Sequence, residues 1–294
     1  MKLPKNLKSK VCRNEPASRH TTMGVGGQIP LWVEVYNLDE LLIILKSLKE
    51  SKTDFFIIGA GSNLIIKDKG IKKVFLKLGS SYFKTIDIEE KRLIVRAGAS
   101  LSSTIKTCLN KSLSGLEALS GIPASIGGAI CMNASVKACS ISDALIRILV
   151  IDKKLNIKQL NREQIKFGYR KSNLNGLIII EAEFELKRSP VSRIKKMQKK
   201  YLEEKKLSQP LDLKSAGCIF KNPENSNYSS GELIEKAGLK GLEIGGARIS
   251  NKHANYIVNF NNAKASDIKR IIVRVKSEIK KKFNIDIEEE VIFV

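Results

Sequence analysis

The change of pattern at Lys187-Arg188-Ser189-Pro190 constrains the fold of this 294-residue chain most strongly. Upstream, short β-branched and aromatic runs recur: LWVEV (31–35), FFII (55–58), LIIK (64–67), KVFLKL (73–78), RLIVRAGA (92–99), RILVID (147–152) and LIIIEAEFEL (177–186). Each has the length and alternation of a strand. Helical spacing appears only between some of them, at 41–48, where Asp39 is the expected cap, and at 101–110 behind Ser100. Strands that outnumber helices in this way argue against regular βαβ alternation and for an α+β fold. Downstream the chain turns to a charged helical stretch (193–206), glycine loops and one long amphipathic helix. That helix carries Ile268, Ile271, Ile272, Val275, Ile279 and Phe283 on one face, with Ser266 as the expected cap. The tail IDIEEEVIFV (285–294) reads as a terminal strand. The chain therefore divides into residues 1–187 and 188–294, two domains of ordinary size.

The formal charge of +22 invites a nucleic-acid partner. Its distribution favours a plainer origin. The basic residues concentrate in RIKKMQKKYLEEKK (193–206) and KRIIVRVKSEIKKK (269–282), where apolar residues interleave at helical spacing and the charges form a solvated face. No zinc-finger spacing or RNP-like aromatic motif accompanies them. Five scattered cysteines (Cys12, Cys108, Cys131, Cys139, Cys218) without a CxxC pair support neither a disulfide framework nor a metal site. No apolar run approaches the ~20 residues of a membrane helix. The basic start lacks the apolar segment of a secretory signal, so a cytoplasmic location is expected.

Five stretches carry candidate chemistry, each with a plain alternative. In SAGCIFKNP (215–223), Cys218 stands at the mouth of a glycine turn, before the short apolar Ile219-Phe220 and three residues from Lys221. It is a buried structural cysteine or a proton donor held over a ligand. GAGSN (59–63) can turn successive backbone N–H groups toward a phosphate, or be a tight turn. It lacks the third glycine of a Rossmann fingerprint. GIPASIGGAICMNAS (121–135) lets backbone approach a ligand closely, and Asn133 adds an amide; the alternative is a turn that needs small residues. In YRKS (169–172), Arg170 is a fork for a carboxylate or phosphate, or a surface arginine. EEEV (288–291) puts Glu288 and Glu290 on one strand face, and taken alone is a solvated edge.

Taken in order, HTTMGVGG (20–27), GAGSNLIIKDKGI (59–71), RAGAS (96–100), GIPASIGGAICMNA (121–134), FGYRKSN (167–173), SAGCIFKNP, LIEKAGLKG (233–241), GGARISNKHANYIVN (245–259) and EEEV resemble the MurB family of peptidoglycan synthesis. The resemblance implies that residues 1–187 form a vanillyl-alcohol-oxidase/PCMH-type domain holding FAD noncovalently, and residues 188–294 a smaller α+β substrate domain. The short connection from Phe184 to Ser215 fits the shorter, type II subclass. It implies NADPH as hydride donor, a nucleotide-sugar substrate bearing an enolpyruvyl group, hydride delivery to C3 and protonation at C2. Flavin contacts are implied at Gly59, Gly61, Ser62, Asn63, Gly98, Gly121, Ile122, Pro123, Gly127 and Gly128. Substrate contacts are implied at Tyr169, Lys221 and Asn222, with Arg170 stabilising the enolate and Glu290 assisting it, Glu288 being the alternative acid. A monomer without nucleic-acid or membrane partners is expected.

Three departures from the family pattern stand out. Cys218 occupies the place of the usual proton-donating serine; a thiol is the stronger acid and remains mostly protonated near neutrality. Ala124 replaces a glycine, so the backbone there must tolerate a Cβ. The usual glycine-aromatic run after Asn133-Ala134 is replaced by SVKACSIS (135–142). The rival readings are another FAD oxidoreductase with the same flavin domain, or a basic nucleic-acid-binding protein.

Overall fold

The computed structural model describes residues 3, 4 and 6–294. Packing divides them into two compact units. The first comprises the described residues up to Arg13 together with 31–60 and 73–204; the second comprises 14–30, 61–72 and 205–294. The division expected at 187/188 does not follow these units. Met23, Val25 and Ile65 are buried in the core of the second unit, among Ile219, Phe220, Ile257 and Ile271. Composition along the chain cannot reveal such recruitment, because it depends on which distant strand each segment finds.

In the first unit, residues 31–34 of the strand Gln28–Glu34 and the strand Phe55–Ile58 both run parallel to Val74–Lys77, opposite it on either side. Helix α1 (Leu38–Glu50) buries Leu41, Ile44, Leu45 and Leu48, the apolar positions expected of it. Its cap is Asn37, whose side chain accepts from the Glu40 amide, and not Asp39, which sits in the first turn. A second, antiparallel sheet has the order Ile157–Asn161, Leu145–Ile151, Ile178–Glu185, Arg92–Arg96, Ile86–Glu89. Leu93 and Val95 point to the core at every second position, as the alternation predicts. Helix α2 (Leu101–Asn110) is capped by Ser100 as expected; the short α3 (Ile126–Cys131) starts at Ser125. Helix α4 (Val191–Ser208) buries only Ile194, so most of its lysines form the solvated face inferred from their spacing.

In the second unit, strands Lys214–Cys218, Tyr256–Asn259, Ala247–Ile249 and Glu243–Ile244 form an antiparallel sheet. Helices α5 (Ser230–Lys236) and α6 (Ala265–Phe283) accompany it, and α6 buries Ile268, Ile271, Ile272, Val275 and Ile279. The expected terminal strand is much shorter: only Ile292–Phe293 is a strand, parallel to Leu64–Ile65. Mixed helix and strand content in both units matches the α+β expectation. Among the described residues, no helix is long and apolar enough to cross a membrane.

Ser266 lies inside the first turn of α6 and does not cap it. The Asp68 carboxylate accepts from the Ala265 amide at 2.7 Å and the Ser266 amide at 3.0 Å, so the cap comes from far along the chain. Burial alone would raise the Asp68 pKa, but the hydrogen bonds from Ser266 and Ala265 outweigh it and hold the carboxyl below its usual value. A carboxylate with a depressed folded-state pKa contributes stability above its unfolded pKa and loses it as pH falls through the folded one. Asp68→Ala should therefore lower unfolding stability by about 1 kcal/mol near neutrality. The difference from the wild-type protein should shrink below about pH 4, which urea titrations at both pH values would measure.

Candidate active site

Cys218 ends the strand Lys214–Cys218, and its exposure is set by a bulge. Lys214 lies opposite Asn259 and Ser215 opposite Val258, but the next paired residue is Cys218, opposite Tyr256. One extra residue is accommodated at Ala216-Gly217. In an uninterrupted strand Cys218 would share the face of Ala216, which is buried in the core. The bulge resets the alternation: Ile219 turns inward, and Cys218 is left half-exposed. Gly217 has φ +76°, yet an added Cβ would meet nothing within 4 Å. Conformation, not space, requires glycine there. The structural-cysteine reading fits Cys108 instead, whose thiol is buried and pushed up to about 12, chiefly by burial.

The residues after Cys218 are held along both edges. On one side, Asn255 accepts from the Ile219 amide through its carbonyl (2.9 Å) and from the Phe220 amide through Oδ1 (2.9 Å), while its Nδ2 donates to the Phe220 carbonyl (2.8 Å). On the other side, the Glu290 amide donates to the Ile219 carbonyl (2.8 Å) and the Lys221 amide to the Glu288 carbonyl (2.9 Å). This sets the Glu290 backbone beside the residue that follows Cys218. Asn63 Nδ2 donates to the Glu290 carbonyl at 3.1 Å, so the amide expected at the flavin also anchors the tail. The EEEV run is more than a solvated edge. Glu288 pairs with Lys221 Nζ at 2.9 Å, and Glu289 pairs with Lys269 and Lys276. Glu288, the alternative acid, is thus engaged with an expected substrate contact. Asn222 Oδ1 accepts from the Ser230 amide at the start of α5. Gly61 packs against the His20 carbonyl, and Ser62 is half-buried beside it in sequence.

In the first unit, two glycine loops meet. A Cβ added at Gly59 would lie 2.5 Å from Ser125 Oγ and 3.9 Å from Gly128 Cα. Ser125 Oγ accepts from the Gly128 amide, and the Ile126 and Gly127 amides donate to the Ala99 and Ala97 carbonyls. Gly98, between them, packs against the Leu78 carbonyl. Gly121 and Pro123 are exposed and Ile122 half-buried. Ala124 keeps a negative φ, so its Cβ is accommodated without strain. Lys77 Nζ donates to the Gly59 carbonyl; burial pushes this amine's pKa down, opposed by the nearby Glu34 carboxylate.

These residues fit a flavin on an observation independent of motif. Asn133 Nδ2 donates to the Gly168 carbonyl, but its buried Oδ1 has no hydrogen-bond partner, and neither does buried Ser120 Oγ. Buried acceptors of this kind ordinarily have a partner. An added Cβ at Gly128 would meet only Ser125 Oγ, the far end of a side chain, at 3.3 Å.

Arg170 occupies the tight turn between Phe167–Gly168 and Lys171–Ser172 with φ +55°, a region an L-residue enters at a cost of about 1–3 kcal/mol. Its Nη1 donates to Ser135 Oγ (2.6 Å) and to the Ser135 carbonyl (3.2 Å), and its guanidinium lies 5.3 Å from the exposed Tyr169 ring. Ser135 and Asn255 were not among the residues singled out from sequence. A buried asparagine within the apolar run ANYIVN is the signal that points to Asn255; Ser135 carries none, since its partner is distant in sequence.

The bulge yields a direct test. Gly217→Ala should cost about 1–2 kcal/mol of stability through backbone conformation alone. It should also change the alkylation rate of Cys218, followed by peptide mass spectrometry alongside urea unfolding.

Residues 30–159 match the family model described as an FAD binding domain. Residues 209–294 match the model of the UDP-N-acetylenolpyruvoylglucosamine reductase C-terminal domain. The UDP-N-acetylenolpyruvoylglucosamine reductase of Caldanaerobacter subterraneus subsp. tengcongensis is 38% identical over 99% of this chain and 96% of its own length. That of Bacillus subtilis is 36% identical over 96% of this chain and 93% of its own. The crystal structure of the Thermus caldophilus enzyme superposes with a TM-score of 0.84 at 33% identity, covering 98% of this chain and 99% of that one. The fold is accordingly an α+β FAD-binding domain followed by a smaller α+β C-terminal domain of the reductase type. With both family models matched in order and full-length relatives on either side, the chain belongs to the UDP-N-acetylenolpyruvoylglucosamine reductase family.

Proposed function

We propose that this protein reduces UDP-N-acetylglucosamine enolpyruvate to UDP-N-acetylmuramate in peptidoglycan precursor synthesis, with noncovalent FAD and NADPH as hydride donor. The observation that carries the chemistry is the placement of Cys218. A bulge turns it out of the core, and the following residue is bonded to the Glu290 backbone. The functional division assigns the flavin to residues 1–187 and the substrate to 188–294. The spans of the two family models, 30–159 and 209–294, support it.

FAD, when bound, supplies the hydride chemistry, accepting from NADPH and delivering to C3 of the enolpyruvyl group. Gly59, Gly61, Ser62, Asn63, Gly98, Gly121, Ile122, Pro123, Gly127 and Gly128 are the residues assigned to hold it. Arrival of hydride at C3 leaves negative charge shared between C2 and the substrate carboxylate. The Arg170 guanidinium stabilises that enolate; a preorganised donor of this kind contributes ~3–4 kcal/mol. Its strained turn fixes the backbone at the point of need, at a cost the surrounding hairpin offsets. Cys218 Sγ–H gives its proton to C2, and the thiolate recovers a proton from solvent. Glu290 assists this transfer from the strand edge. Tyr169, Asn222 and Lys221 bind substrate, with the lysine exchanging part of its pairing to Glu288 for the anionic ligand. The enzyme acts as a cytoplasmic monomer.

Anaerobic stopped-flow absorbance near 450 nm tests the function. NADPH should bleach the flavin, and UDP-N-acetylglucosamine enolpyruvate should then restore it with formation of UDP-N-acetylmuramate. A reduced protein that this substrate never reoxidises would overturn the proposal.

A further inference from the structure

We infer that Ser135 is a positioning residue that holds the Arg170 guanidinium for turnover. The inference rests on the role proposed for Arg170. Ser135 opens the hairpin made by Ser135–Val136 and Cys139–Ser140, within the segment that departs from the family pattern. Its hydroxyl accepts from Arg170 Nη1 at 2.6 Å and its carbonyl from the same nitrogen at 3.2 Å. A glycine at this position could supply the carbonyl contact and nothing else. The hydroxyl contact is short and charge-assisted, the stronger class of hydrogen bond.

The hairpin is anchored in a way that makes it a strut rather than a loose loop. At its base, the Ile141 amide donates to the Ala134 carbonyl at 2.9 Å, and Ser140 and Asp143 form a reciprocal capping box just beyond. Val136 packs against the core of the first unit. At its tip, Lys137 takes a positive φ and its ammonium pairs with Glu204 of α4 at 2.8 Å, 5.9 Å from the Tyr201 ring. The opposite support is also fixed, since Ser172 Oγ in the Arg170 hairpin donates to the Cys131 carbonyl at the end of α3. Arginine side chains are long and lose entropy when ordered. A guanidinium seated between two anchored hairpins meets that cost before substrate arrives.

The experiment measures flavin reduction by NADPH and flavin reoxidation by UDP-N-acetylglucosamine enolpyruvate separately. It compares the wild-type holoenzyme with Ser135→Ala, Ser135→Gly and Ser135→Thr, and repeats Ser135→Ala in an Arg170→Ala background. Loss of a hydrogen bond to a charged group should slow reoxidation roughly tenfold in the Ala and Gly variants. Ser135→Thr should restore the rate to within about threefold, because it returns the hydroxyl. In the Arg170→Ala background the serine change should produce no further loss, as expected when two residues act through one interaction. The inference is overturned if Ser135→Ala and Ser135→Gly reoxidise at the wild-type rate. An equal loss with and without Arg170, or equal slowing of flavin reduction, overturns it too. Failure of the wild-type protein to reoxidise overturns the functional proposal and this role with it, so the two failures are told apart by the first sample measured.

Discussion

The chemistry proposed for the second unit depends on the clamp around Ile219–Lys221. Asn255 holds one edge of this short run with three hydrogen bonds, and the Glu288–Glu290 backbone holds the other. Asn255 is 4% exposed, so its side chain acts as a buried stand-in for a strand partner. Each hydrogen bond contributes little net stability, but leaving its buried groups unpaired would cost about 1–3 kcal/mol apiece. The consequence is geometric. With Ile219 and Phe220 locked into the core, the bulge at Ala216-Gly217 has one outcome for the residue between them: Cys218 faces out.

The same tail that forms the second edge also closes the unit. The Ile292 amide donates to the Asn63 carbonyl, the Asn63 amide donates to the Glu290 carbonyl, and Ile292–Phe293 pairs with Leu64–Ile65. The last residues of the chain thereby join the segment after GAGSN to the strand that presents Cys218. Arg170 shows a different economy in the first unit. Its positive φ is unfavourable for a side chain, and the surrounding contacts with Ser135 and the end of α3 keep it there.

Much of this was legible before any coordinates. Alternation over 92–99 and 177–186 marked strands that do pair with each other, and the 3.6-residue spacing of Ile268 through Ile279 marked the buried face of α6. What stayed hidden depends on distance along the chain. Asn37 and Asp39 are both good caps, and only the backbone decides for Asn37. The α6 cap is Asp68, nearly 200 residues away, which no local pattern encodes. The EEEV run resembled a solvated edge because its lysine partners, Lys221, Lys269 and Lys276, come from other elements. Of the positive charge, part is a solvated helix, as with α4, and part is paired in this way. At the site, residue types were readable where motifs carried them, whereas Ser135 and Asn255 act through partners that the fold alone supplies.

The central claim is that the Cys218 thiol delivers the proton that completes substrate reduction, and a single-turnover comparison tests it most directly. Wild-type, Cys218→Ser and Cys218→Ala holoenzymes are reduced with NADPH, then mixed anaerobically with UDP-N-acetylglucosamine enolpyruvate while flavin absorbance is followed. The account predicts that all three reduce at similar rates, that Cys218→Ser retains reoxidation, and that Cys218→Ala loses it severely, by about 10²-fold or more. Reoxidation of the alanine variant at a rate near that of the wild-type protein would contradict it.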